Sequence, residues 1–272
     1  MSSGTSNDAH DHRADGAYDR REWDVAGVLS AALARLRRNP TLLVPFALAG
    51  IVLAVIDVLR SRDPIPALIS GGLGEGTIHL EFVGYPTATS RTLLPLEALV
   101  GLELPYLAWG LGLHLLSLLA IGVAGVLTLT ALLDGEMHLG PLPSYLGLVV
   151  GLDLAGRLLG SIGSVQGMGL FGLVPLALLL FVLVWLFPAP GLVVAGASPW
   201  TAVRRSGAWI RGDGWTALGL VLALGLGAWL LGSVPIAGAF LTGALVAPIH
   251  AAAIASLFEH RRQSGLAVPS QP

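Results

Sequence analysis

Long apolar blocks of similar length alternate with short polar stretches along this chain. Residues 41–59, 109–133, 168–187, 215–231 and 236–258 are dominated by Leu, Ala, Val and Gly. A hydrocarbon layer about 30 Å thick takes about 20 mostly apolar helical residues to cross, so each block predicts one membrane-spanning helix. A sixth block, "SYLGLVVGLDLAGRLLGSI" at 144–162, has the length but carries Asp153 and Arg157. Ahead of the first block, "WDVAGVLSAALARLRR" at 23–38 is apolar on one side. Asp24 is placed to cap it, and Arg35, Arg37 and Arg38 sit where the helix dipole favours cations. Asn39-Pro40 then breaks this amphipathic helix, and the prolines of "RSRDPIP" stop the first span.

Residues 60–105 form the one sizeable connection between spans. In it, "TIHLEFV" at 77–83 alternates like a short strand, "TLLPLEALVGLEL" at 92–104 resembles an interfacial segment, and "GGLGEG" at 71–76 reads as a flexible turn. Its acidic residues Asp63, Glu75, Glu81, Glu97 and Glu103 outnumber Arg60, Arg62 and Arg91. Cytoplasmic flanks carry the excess of basic residues. If 144–162 crosses, the arginines near 35–38, at 204–211 and at 261–262 share the cytoplasmic side and the acidic connection lies outside; otherwise the clusters are split. The expectation is therefore an all-α, polytopic bundle of six transmembrane helices with amphipathic cytoplasmic elbow helices, occupying 23–260. It would lie in the cell membrane with both termini, 1–22 and 261–272, in the cytoplasm.

Composition agrees and excludes several classes. Hydrophobic residues make up 54% and charged residues 12% of the 272 residues, about half the charged share of a soluble domain. Cysteine is absent and every basic residue is arginine, which removes thiolate metal sites, a Cys nucleophile, Schiff-base lysines and the lysine of a phosphate-binding loop. A net charge of −2 points away from nucleic acid. Residues 1–22 are polar, mixed in charge and without the apolar core of a signal peptide; they read as a disordered tail, with His10 and His12 solvated rather than metal-bound.

Asp153 and Arg157 are the strongest functional pointer, because ionisable groups inside a membrane are functional candidates by default. Their i, i+4 spacing also allows simple self-neutralisation on one helix face, and Gly147, Gly151, Gly156 and Gly160 would let a neighbouring helix approach closely. His114 and His250 are candidates for proton-linked work, against the commoner reading of a hydrogen-bonded buried imidazole. Asp57 beside Arg60 reads as a surface ion pair. "DGEMH" offers Asp134, Glu136 and His138, suited to a divalent metal or simply to a solvated helix end. HExxH and Gly-x-Ser-x-Gly are both missing, so the expectation is no enzyme and no cofactor, with a metal-dependent membrane hydrolase built on Asp134, Glu136 and His138 as the trailing alternative.

Residues 196–219, "GASPWTAVRRSGAWIRGDGWTALG", place Ser198 as an N-cap, Pro199 as the first helical residue and Gly212 as the stop. Trp200, Trp209 and Trp215 suit the headgroup level, and with Arg204, Arg205 and Arg211 they form candidate contacts to anionic lipid headgroups. Ser198-Pro199, Ala202, Arg205-Ser206 and Ile210-Arg211-Gly212, with "FPAPG" at 187–191 and "RLRRNPTLLVPFAL" at 35–48, resemble a family of uncharacterised six-helix membrane proteins. That family is common in haloarchaea and related to the membrane domain of glycerophosphoryl diester phosphodiesterases. The resemblance covers about 23–260 and implies topology rather than chemistry, since the phosphodiesterase activity resides in a separate soluble barrel for which this chain has no room. Two function classes follow. One is a non-enzymatic scaffold or accessory factor partnered by the bilayer, by another membrane protein or by its own copies; the other is a small transporter or permease using Asp153, Arg157, His114 or His250.

Overall fold

The computed structural model describes residues 24–63, 65, 68–69, 84–89, 92–93, 101–159, 172–235 and 237–263. The tail 1–22, the turn at 71–76, the strand expected at 77–83 and most of the interfacial segment lie outside them. Helix α1 (Val25–Arg38) starts at Asp24, whose carboxylate accepts a hydrogen bond from Gly27 N at 2.6 Å, and ends with Arg35, Arg37 and Arg38 in its last turn. A 3-10 turn (Pro40–Leu43) leads into α2 (Val44–Arg60). A two-residue antiparallel pairing, β1 (Leu68–Ile69) with β2 (Thr92–Leu93), lies in the connection to α3 (Leu104–Leu133). Then follow α4 (Leu142–Leu159), α5 (Leu173–Leu186), α6 (Ala189–Val194), α7 (Pro199–Trp209) and α8 (Gly214–Gly232). A last rod is built from α9 (Gly238–Leu241), a π-helical turn (Thr242–Val246) and α10 (Ala247–Gln263).

Among the described residues, the regular structure is helical apart from that short pairing. Among the described residues, five helical stretches are long and apolar enough to cross a membrane: Pro40–Arg60, Leu104–Leu133, Leu173–Val194, Gly214–Gly232 and Gly238–Gln263. The charged α4 is not one of the five.

The last rod occupies the centre. His250, Ala251 to Ala255, Leu257 and Phe258 are all buried, and the alanines let neighbouring backbones come close, as lipid-embedded helices require when solvent gives no hydrophobic push. Two contacts are closer still. A Cβ on Gly243 would lie 3.0 Å from Gly50 Cα, and one on Gly191 would lie 2.6 Å from the Phe258 ring. Helix α1 lays Val28, Ala32 and Leu36 onto α10 and α8, and Arg35 pairs with Glu259 at 2.5 Å. Arg261 pairs with Asp213 at 3.1 Å and donates to the Arg211 carbonyl at 2.9 Å. These contacts gather all three arginine clusters at one end of the bundle.

The stretch 187–213 is built from stop signals. Pro188 and Pro190 break the rod between α5 and α6, since proline cannot donate the helical hydrogen bond. Helix α6 closes with Gly196 N to Val193 O and Ala197 N to Leu192 O, both 3.0 Å, with Gly196 at φ +99°, the paired bonds that satisfy orphan carbonyls at a helix end. Ser198 then caps α7, accepting from Thr201 N, with Pro199 in its first turn. The helix ends at Trp209, and Gly212 takes φ +95° in the turn before α8.

Helices α3 and α4 run antiparallel, since Tyr145 lies on Gly125 while Asp153 reaches His114. Their close approach uses glycines of α3: a Cβ on Gly122 or Gly125 would strike Leu146 or the Tyr145 hydroxyl. The glycines of α4 do not take the role expected of them. Among the described residues, Gly151 and Gly156 meet no neighbour within 4 Å and Gly147 meets only Pro199, while Gly160 lies outside them.

Residues 84–89 enter the bundle between helices. Gly84, at φ +77°, sits beside Leu186 of α5; Ala88 packs at Gly243; Thr89 N donates to Thr242 Oγ1 at 2.9 Å. Tyr85 and Ala88 are buried.

Candidate functional site

Asp153 and Arg157 lie one turn apart on α4, and the Arg157 Nε donates to Asp153 Oδ2 at 2.8 Å. His114 joins them from α3. Its Nε2 lies 3.0 Å from the same Asp153 oxygen, and its Nδ1 lies 3.2 Å from Arg157 Nη2. A guanidinium has donors only, so Nδ1 must accept, and the imidazole carries its proton on Nε2, where it donates to the carboxylate. Each member therefore touches both others. Their side chains are about one-fifth exposed, 17% for His114 and 21% for Asp153 and Arg157, so the carboxylate is neither sealed nor fully solvated.

Two further groups complete the site. Arg60, at the end of α2, is buried at 6% exposure and donates to the Gly110 carbonyl of α3 at 3.0 Å, with the carboxylates of Asp63 and Asp57 nearby. Arg60 is thus buried where a surface position was expected, with Asp57 still close to it. Tyr85 lies close enough to Asp153 and Arg157 to feel both charges; burial, and secondarily the Asp153 carboxylate, push its phenol well above the usual range. It stays neutral and able to donate. Arg60 and Tyr85 escaped the sequence reading because one looked like a helix end and the other lies in a polar connection. A tyrosine between Gly84 and Pro86 was the only local sign of a backbone turning inward.

The other candidates fall elsewhere. His250 is buried on α10 and stacks on Phe187, with ring centroids 5.4 Å apart. Asp134 and His138 pair at 3.2 Å on the surface at the arginine-rich end, and among the described residues no three His, Asp or Glu side chains gather as a metal would require. Arg204, Arg205 and Trp200 (70%) of α7, Arg211 just after it and Trp215 (86%) at the start of α8 are all exposed. Trp209 is the exception among the expected headgroup contacts. It is buried against Phe258, 4.3 Å between ring centroids, beneath the Arg261 guanidinium, so its indole anchors α7 to α10 instead of facing lipid.

Fold and site together define a multi-pass helical membrane protein with a hydrogen-bonded His–Asp–Arg cluster between two of its helices. No family model matches the chain, and no curated protein or solved structure matches it.

Proposed function

We propose that the protein is a small, non-enzymatic, proton-linked permease of the cell membrane, with six spans and both termini in the cytoplasm, in which Asp153 binds the proton. The carrying observation is the mutual contact of His114, Asp153 and Arg157, because ionisable side chains paired inside a membrane mark ion pathways and proton relays. The antiparallel run of α4 beside α3, about 27 Å for 18 residues, supports a sixth span. The gathering of the arginines at one end supports a cytoplasmic assignment of that end, as does the resemblance of the 196–219 elbow to six-helix membrane proteins. The break between α5 and α6 and the π turn in the last rod are the kind of helix interruption that transporters place near their sites.

The test is proton uptake into liposomes containing the purified protein, driven by a potassium-diffusion potential and read with an internal pH dye. Uptake that Asp153→Asn abolishes is expected, and equal uptake by the variant would sink the reading. A second reading, a scaffold or accessory factor that holds anionic lipid, rests on exposed Arg204 and Arg205 beside exposed Trp200 and Trp215. It predicts that changing Arg204, Arg205 and Arg211 to Gln weakens retention of anionic lipid by about 1 kcal/mol per arginine. Unchanged lipid retention would remove it.

A further inference from the structure

A pocket of about 420 Å³ opens at the arginine-rich end of the bundle, between the ends of two neighbouring apolar helices. Asn39, Thr41 and Leu42 line it where the stretch Pro40–Arg60 begins, and Ala131 and Leu132 line it where Leu104–Leu133 ends. Arg35, in the last turn of α1, joins the lining. These residues bracket the step from polar turn to apolar helix on both chains, so the pocket lies at the depth of lipid headgroups.

Among the described residues, Arg35 is the one charged residue in that lining. One of its nitrogens bonds Glu259 Oε2 at 2.5 Å, and its other terminal nitrogen, Nη1, has no hydrogen-bond partner among the described residues. A guanidinium carries five N–H donors in a fork that matches the oxygens of a phosphate, so most of the hydrogen-bonding capacity of Arg35 is unused. Asn39 adds an amide that makes no cap bond to the 3-10 turn after it, and Thr41 adds a hydroxyl. The carboxylates at this end stay out of the lining. Glu259 is held by Arg35, Asp134 by His138, and Glu136 is exposed to water, where salt screens it. A phosphate ester is the anion that this set of donors fits.

From the pocket an apolar track runs along α2. Val44 N donates to the Thr41 carbonyl in the 3-10 turn, which sets the two side chains one above the other. Val44, Leu48, Ile51 and Val55 then follow at helical spacing on one face, all of them exposed. At 1.5 Å per residue the track from Val44 to Val55 is about 16 Å long, the depth of one leaflet in a hydrocarbon core of about 30 Å. A small anion would engage the donors alone; a ligand with a phosphate head and long apolar chains engages both. We propose that the pocket binds the phosphate of an anionic phospholipid, with Arg35, Asn39 and Thr41 on the phosphate and an acyl chain along the α2 track. This site goes beyond both readings above, since neither Asp153 nor the arginines at 204, 205 and 211 line it.

The experiment is native mass spectrometry of the purified full chain in detergent, counting the phosphatidylglycerol it retains as that lipid is titrated in. One lipid held ahead of the rest is expected, and Arg35→Gln should weaken this first binding by at least about tenfold, the effect of losing a hydrogen bond to a charged group. Asn39→Ala and Thr41→Val, both at exposed positions, should each weaken it roughly threefold and leave the thermal midpoint in place. Arg35→Gln also loses the contact with Glu259, so Glu259→Gln is the matching control. It removes the same ion pair, yet the first lipid should stay bound at least as tightly as in the wild type. Equal weakening by Glu259→Gln and Arg35→Gln would assign the loss to the fold and overturn the site. First binding that none of Arg35→Gln, Asn39→Ala and Thr41→Val alters overturns it as well. Glycerol 3-phosphate in large excess should fail to displace the lipid; displacement would overturn the lipid assignment in favour of a soluble phosphate ester.

Discussion

Among the described residues, two aspartates pair with a histidine or arginine four positions later, and the two pairs differ in almost everything else. Asp134 and His138 meet at 3.2 Å with nearly half of each side chain exposed, whereas Asp153 and Arg157 meet at 2.8 Å with 21% exposed and a third partner from another helix. Spacing alone therefore says little about the worth of a pair. In water the Coulomb gain is screened and offset by side-chain entropy; between helices the same geometry is the only thing that keeps a carboxylate out of an apolar surrounding.

Removing one partner is the severest way to break the comparison. Arg157→Leu should destabilise the protein by about 2–4 kcal/mol, somewhat below the figure for a fully buried pair because solvent still reaches the site, as read by thermal unfolding in detergent. The double change of Asp153 and Arg157 to Leu should recover most of that loss, since replacing a whole pair by apolar groups is often neutral.

A smaller effect is expected from the packing that holds α4 in register. Gly125→Ala pushes a methyl into the Tyr145 hydroxyl and should cost about 1–3 kcal/mol through overpacking, while Gly151→Ala, into open space, should not lower the thermal midpoint. Equal losses at the two glycines would show that α4 makes a close contact of its own as well as α3.

His114 sharpens the comparison by spectroscopy. At neutral pH its nitrogen-15 spectrum should show a protonated Nε2 and an unprotonated Nδ1, the tautomer that Arg157 imposes, and Arg157→Leu should release that preference. The least effect is expected at the surface pair, where His138→Ala should change stability by less than about 0.5 kcal/mol.

Much of this was legible before any coordinates. The 3.6-residue period, the caps at Asp24 and Ser198, the stop at Asn39-Pro40 and the glycine at 212 are local signals, and each marks the boundary it predicted or one within a few residues of it. The spacing of Asp153 and Arg157 likewise announced a pair on one face. What stayed hidden was every relation between helices. His114 as third partner, Trp209 turned inward and Arg60 buried against Gly110 depend on how each helix is rotated about its axis. So does the exchange of roles between the glycines of α3 and α4.

The sequence by itself determined where the helices begin and end, that they are apolar enough for lipid, and that one of them carries a charge pair, because those properties reside within single turns of chain. Only the tertiary structure decided which faces meet. Lipid tails are as apolar as leucine, so a helix in a bilayer gains nothing from hiding a leucine face and its composition does not point inward. Rotation and register are set instead by the few places where backbones can touch, such as Gly50 on Gly243, and where polar groups must find one another, such as His114 and Asp153.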